Sequence, residues 1–220
     1  MSEALETSTN TSVETVIRIT TQTYSQKAQE YATATGDYAS YPGLEAEVLS
    51  FADMAPARLP LLDLGCGPGR DAHRIAALGR KVIAGDISLS MLRCARRRAE
   101  ADNAPSVPYM AFDALRLPFR AGAVGGVWAS GSLLHLPSSV IPRALSEILR
   151  VLAPGGVAAI SMQSGTGEGW RDGGTLNGRR WFTFVQPEHF SSAMSCLGFD
   201  DVRVRRTGRH NWFIAWGRSA

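Results

Sequence analysis

Leu61-Leu62-Asp63-Leu64-Gly65-Cys66-Gly67-Pro68-Gly69-Arg70 is the stretch whose reading decides the fold. The apolar run from Leu59 to Leu64, broken only by Pro60 and Asp63, suits a short strand covered on both faces. Glycines at alternate positions then remove every Cβ from one side of a tight turn, and they permit positive φ. A ligand can therefore lie directly on the backbone. A helix is expected from Arg70 to Leu78.

Two kinds of ligand use such a turn. The dinucleotide fingerprint is Gly-x-Gly-x-x-Gly, whose third glycine lets the helix pack against the strand. Here Arg70 holds that third place and the glycine falls one residue early, at Gly69. A phosphate-binding P-loop would need Gly-Lys-Ser/Thr, which this stretch lacks. Asp63 stands two residues before the first glycine, where a carboxylate suits a cation or an amine and opposes a pyrophosphate.

Outward from the turn, Arg80 to Asp86 reads as a second strand ending in an acid. Asp86 follows Gly65 by 21 residues. At this offset an acid can accept hydrogen bonds from ribose hydroxyls, in nicotinamide and in methionine-derived cofactors alike. Ser88 is a suitable N-cap for the next helix, and Met91 and Leu92 face either an adenine or the core. That helix carries Arg93, Arg96, Arg97 and Arg98 on what reads as a solvated face. Val107 to Phe112 is a third strand, and Asp113 follows its end as either a turn residue or a ligand contact. Val124 to Ser130 is a fourth strand, running into Gly131-Ser132-Leu133-Leu134-His135. Ligands of open α/β sheets gather outside the carboxyl ends of strands, so this loop should line a site. Ile141 to Leu149 is a helix, and Leu152-Ala153-Pro154-Gly155-Gly156 turns the chain into the strand Val157 to Met162.

The order Asp-x-Gly-x-Gly-x-Gly, Asp86-Ile87-Ser88-Leu89-Ser90-Met91-Leu92, Asp113 and Leu-x-Pro-Gly-Gly resembles the class I S-adenosylmethionine-dependent methyltransferases, of the small-molecule, methyltransferase type 11-like kind. The resemblance covers Leu61 to Met162. It implies an α/β, Rossmann-like three-layer sandwich with a seven-stranded, mostly parallel sheet and a C-terminal antiparallel hairpin, here Asp201 to Arg206 and Trp212 to Trp216. It also implies S-adenosyl-L-methionine as cofactor, bound by Asp63, Gly65, Cys66, Gly67, Arg70, Asp86, Ile87, Met91, Asp113, Ala114, Ala129 and Ser130. In the family an acid at the place of Asp113 meets the adenine amino group. An N-terminal helix bearing tyrosines often covers the cofactor, so Tyr24 and Tyr31, on an expected helix from Thr20 to Ala32, either form a lid or pack on the core. His135 is the candidate general base, or else it fills a helical turn. His189 is expected to pack or be solvated, and His73 and His210 to lie at the surface.

The expected organisation is a disordered tail at 1–15, then one methyltransferase domain at 16–220 with a helical lid at 16–54 and an acceptor-side insertion at 163–185. Trp170, Arg171, Arg179, Trp181 and Phe182 of that insertion would either line the acceptor site or pack in the core. The chain has 220 residues with 23 basic and 20 acidic side chains, a near balance that favours a small-molecule acceptor over nucleic acid. The remaining readings are an RNA methyltransferase using Arg203, Arg205, Arg206 and Arg209, a nicotinamide oxidoreductase, and a non-catalytic S-adenosylmethionine-binding protein. Three cysteines without metal-ligand spacing point to reduced thiols in a cytoplasmic protein. No metal site, membrane span or signal peptide is expected.

Overall fold

The computed structural model describes residues 11–220. The described chain runs α1 (Val13–Gln26), α2 (Ala28–Ala34), α3 (Leu44–Met54), β1 (Leu61–Leu64), α4 (Arg70–Ala77), β2 (Val82–Asp86), α5 (Leu89–Ala101), β3 (Tyr109–Ala111) and β4 (Val124–Ser130). It continues with α6 (Ile141–Val151), β5 (Leu152–Gln163), β6 (Glu168–Arg171), β7 (Arg180–Thr183), α7 (Pro187–Cys196), β8 (Asp200–Arg206) and β9 (Trp212–Arg218).

Seven strands form one sheet in the order β3-β2-β1-β4-β5-β9-β8. The pairs from β3 to β5 are parallel, and β9 is antiparallel to both β5 and β8. β1 pairs with β2 on one side and β4 on the other, so the direction of winding reverses beside it. An open sheet has its crevice at that reversal.

Successive residues of a strand face opposite sides, and β1 divides its side chains accordingly. Leu62 and Leu64 join a core with Ile148 of α6 and Met194 of α7, whereas Leu61 joins Phe51 of α3, Ile75 of α4 and Leu92 of α5. The sheet is therefore the middle of three layers. Gly126 of β4 lies under α3, where an added Cβ would sit 2.9 Å from the Phe51 ring.

The helix expected over Thr20 to Ala32 is two helices, broken at Lys27 (φ −111°, ψ 20°). α1 starts at Val13, capped by the Ser12 side chain, so helix replaces the end of the stretch expected to be disordered to residue 15. The rest of that expectation, residues 1–10, lies outside the described residues. β6 and β7 form a separate antiparallel hairpin. It packs on α1 through Val16, Trp170 and Trp181. Among the described residues no helix is long and apolar enough to cross a membrane.

Overfilling the α3–sheet contact should be costly. Gly126→Ala is expected to lower stability by about 1–3 kcal/mol, seen as a lower urea midpoint at unchanged slope.

Candidate functional site

The glycine turn after β1 is held open by the end of β2. Gly65 and Cys66 both donate their backbone N–H to the Gly85 carbonyl, at 2.8 and 2.9 Å. Gly67 N–H donates to Asp86 Oδ2 at 2.9 Å, and Ser88 N–H to Asp86 Oδ1 at 2.8 Å. Gly65, Gly67 and Gly69 all have positive φ (74°, 52° and 80°). A Cβ on Gly65 would collide with the Ser132 side chain, so a glycine is required there by space as well as by φ. The Asp86 carboxylate is thus fixed by two backbone donors while its remaining lone pairs stay available. Burial raises its pKa, and the two N–H groups oppose that rise.

Asp63 is buried at the tip of β1. Its Oδ2 has no hydrogen-bond partner. Desolvation, then the neighbouring Asp71 charge, pushes its pKa well up, while Arg70 pulls it down. Asp71 is already saturated, accepting from Tyr38 Oη (2.9 Å), Arg70 Nε (2.8 Å) and Trp128 Nε1 (2.9 Å). A cation delivered to Asp63 would satisfy the orphaned oxygen and restore the ionised form.

Two cavities meet over the turn. One, of about 140 Å³, is lined by Asp86, Ile87, Met91, Asp113, Ala114 and Phe112. The other, of about 240 Å³, is lined by Asp63, Cys66, Arg70, Arg171, Arg180, Phe182, Arg209 and Trp212. Tyr24, Tyr31, Gly65, Gly67, Ser130, Gly131 and His135 line both, so they are two arms of one crevice. The crevice lies outside the carboxyl ends of β1, β2 and β4.

Most of the residues expected from the sequence meet here, with corrections. Ala129 lines neither arm; its side chain is in the core facing α6. Arg70 reaches the second arm, but it bonds the Thr35 carbonyl (3.0 Å) and Asp71 and lies against the Tyr38 and Tyr41 rings, each 4.9 Å away. It therefore braces the wall. Cys66 is buried with its thiol pKa pushed well up by desolvation and nearby carboxylates, which suits packing and not nucleophilic attack. Trp181 packs in the core under α1, whereas Phe182 lines the second arm. His73, expected at the surface, is buried and hydrogen-bonded to Tyr109.

His135 has both ring nitrogens engaged. Nδ1 lies 2.7 Å from the Trp181 carbonyl, which can only accept, so Nδ1 carries the proton. Nε2 is then the acceptor for the Tyr24 hydroxyl, also at 2.7 Å. Burial lowers the His135 pKa to about 4; the Trp181 carbonyl opposes this and the Arg180 charge adds to it. Tyr31 stacks edge-on against Tyr24, with ring centroids 5.3 Å apart, and leans on Gly67. Both tyrosines thus cap the crevice and also pack on Ala28, Met91 and Cys94.

Sequence reasoning placed Ser132 only as part of the loop after β4 and gave neither it, whose buried Oγ has no partner beside Gly65, nor Arg180 a role of its own. Ser132 is unremarkable in a Gly-Ser-Leu loop. Arg180 gains its meaning only from burial. Of the arginines proposed for an RNA surface, Arg203 pairs with Asp201, while Arg205 and Arg209 pair with the buried Glu47. Among the described residues no group of three His, Cys, Asp or Glu could hold a metal ion.

Residues 61–156 match the model of the methyltransferase domain family. Over 146 residues the chain is 32% identical to malonyl-[acyl-carrier protein] O-methyltransferase of Pectobacterium atrosepticum, covering 64% of this chain and 55% of that one. Over 97 residues it is 40% identical to demethylmenaquinone methyltransferase of Clavibacter sepedonicus, covering 44% and 38%. The chain thus spans about half or less of the length of these curated relatives. Among solved structures, 1,6-didemethyltoxoflavin-N1-methyltransferase of Burkholderia thailandensis, with S-adenosylhomocysteine bound, superposes with a TM-score of 0.74 at 19% identity, over 99% of this chain and 94% of that one. The [4+2]-cyclase SpnF superposes at 0.69 and 18%, over 90% and 94%, so the fold by itself does not fix the reaction. The family match thus falls on the strands and turn that build the crevice, where the chain is similar to the methyltransferase domain.

Proposed function

We propose that the protein transfers a methyl group from S-adenosylmethionine to a small-molecule acceptor. The observation that carries this reading is the orphaned Asp63 Oδ2, buried beside a glycine turn whose Gly67 N–H pins Asp86. A donor bearing an ammonium and a ribose fits that pair; a pyrophosphate does not. Asp63 would take the ammonium, Asp86 the ribose hydroxyls, and Asp113 with Ala114 and Met91 the adenine. Bound there, the donor supplies a methyl group already made electrophilic by the sulfonium.

The protein's own part is placement. Tyr24 and Tyr31 close the junction of the two arms and exclude water, and the second arm, the acceptor arm of this reading, holds the nucleophile in line. Fixing two reactants this way lowers a barrier by roughly 7–11 kcal/mol without any proton transfer. His135 is poorly suited to act as a base. With a pKa of about 4, its protonation at neutral pH costs on the order of 4 kcal/mol. It holds Tyr24 in place instead. The relatives act on small or carrier-bound molecules by their names, which supports a small acceptor here.

Loss of the Asp86 carboxylate should be felt in the donor site alone. Asp86→Ala removes charge-assisted hydrogen bonds worth roughly 1.5–3 kcal/mol each. S-adenosylhomocysteine should then bind at least about tenfold more weakly by calorimetry, and unchanged affinity would remove Asp86 from the site.

The His135 linkage has a definite sign. Its folded-state pKa is depressed from 6.5 to about 4, so its stabilising contribution is complete above about 6.5 and disappears as pH falls through 4. The full effect is about 3 kcal/mol. His135→Gln should flatten the decline in melting temperature between pH 6.5 and 4, and an equally steep decline in the variant would show that another group titrates.

A further inference from the structure

Arg70, Arg180 and Arg209, three of the four arginines that line the acceptor arm, differ in what neutralises them. Arg70 pairs with Asp71 at 2.8 Å and Arg209 with Glu47 at 3.1 Å. Arg180 is as deeply buried, at 3% exposure, yet among the described residues no carboxylate forms an ion pair with it. Its Nε and Nη2 donate to the carbonyls of Gly178 (3.3 Å), Leu176 (2.9 Å) and Gly173. Its Nη1, with two N–H groups, has only the Tyr24 hydroxyl, at 3.4 Å. The rings of Phe182 and Tyr24 lie 5.2 and 5.6 Å from the guanidinium carbon. Backbone carbonyls and ring faces soften a buried cation, but they leave its charge in place, and a buried charge without a counter-ion is costly.

Arg180 lines the acceptor arm, and the hydroxyl it touches belongs to Tyr24, which lines the junction with the donor arm. The unused edge of the guanidinium is thus one side chain away from the junction. His135, on the far side of that hydroxyl, is a poor proton acceptor. An arm with a spare positive charge and no effective base suits a nucleophile that arrives already deprotonated.

The geometry points to a carboxylic acid as the acceptor, held as its carboxylate by Arg180 Nη1 and methylated on oxygen. This rests on the methyltransferase reading and names the acceptor class for that same crevice. In the step, a carboxylate oxygen forms its bond to the methyl carbon as the carbon–sulfur bond breaks and its electron pair returns to sulfur. The negative carboxylate and positive sulfonium become a neutral ester and a neutral thioether. No proton is left over, so no base is needed.

The test uses the full-length protein saturated with S-adenosylhomocysteine, whose own binding is first measured by calorimetry. Acetate, phenylacetate and benzoate, each alongside its amide, are titrated by tryptophan fluorescence. At least one acid should bind tenfold or more tighter than its amide. Arg180→Met should erase that preference and Arg180→Lys should keep part of it, both with S-adenosylhomocysteine affinity unchanged. With methyl-labelled donor, product from a panel of carboxylic acids should release its label as methanol in alkali. Equal binding of acids and amides, no binding of any acid, or only alkali-stable product overturns the inference and leaves the methyltransferase reading standing. Failure of S-adenosylhomocysteine to bind removes that reading, and the inference with it. If Arg180→Met does not fold, the wild-type comparison of acid with amide decides alone.

Discussion

The site depends on one set of backbone contacts: three consecutive N–H groups, of Gly65, Cys66 and Gly67, all spent on the last two residues of β2. They couple the glycine turn to the neighbouring strand before any ligand is present. The turn cannot relax onto β1, because its amides are already satisfied, and it cannot drift, because the Asp86 carboxylate is also tied to Ser88 at the start of α5. Two acids from adjacent strand tips are thereby fixed around a bend without side chains. Asp63, which none of these amides reaches, is left as the unsatisfied member.

The rest of the sheet serves this arrangement. β1 is buried on both faces, and its alternating leucines anchor it to both helical layers. The antiparallel β9 extends the sheet beyond β5 and places Trp212 beside the acceptor arm. The Trp128 indole crosses from β4 to Asp71, so the first turn of α4 is bound to the sheet directly beneath the cavity.

Much of this was legible in the sequence because it is local. The strand–glycine–helix unit, the acid 21 residues on, and the Ser88 cap are fixed by neighbours along the chain, and the structure places them as read. The side chains that escaped the reading owe their roles to distant partners. Nothing around Lys27 signals a helix break; Ser25 there bonds Ser88 across 63 residues. Ala129 sits at the end of a strand that points at the site, yet alternation turns it into the core. His135 was legible as a member of the site, but its protonation depends on a carbonyl 46 residues away and on the charge of Arg180. Burial without a counter-charge, the property that singles out Arg180, has no local signature at all.

The N-terminal helix and the β6–β7 hairpin are joined by a row of contacts. Thr20 accepts from the Trp181 amide, Thr23 donates to the Arg179 carbonyl, and Tyr24 meets Arg180. Two pieces of chain some 156 residues apart in sequence are thus riveted into one flap. Neither can swing aside alone without tearing that row. Displacing either piece therefore breaks contacts of the other, so both arms of the crevice share one cover.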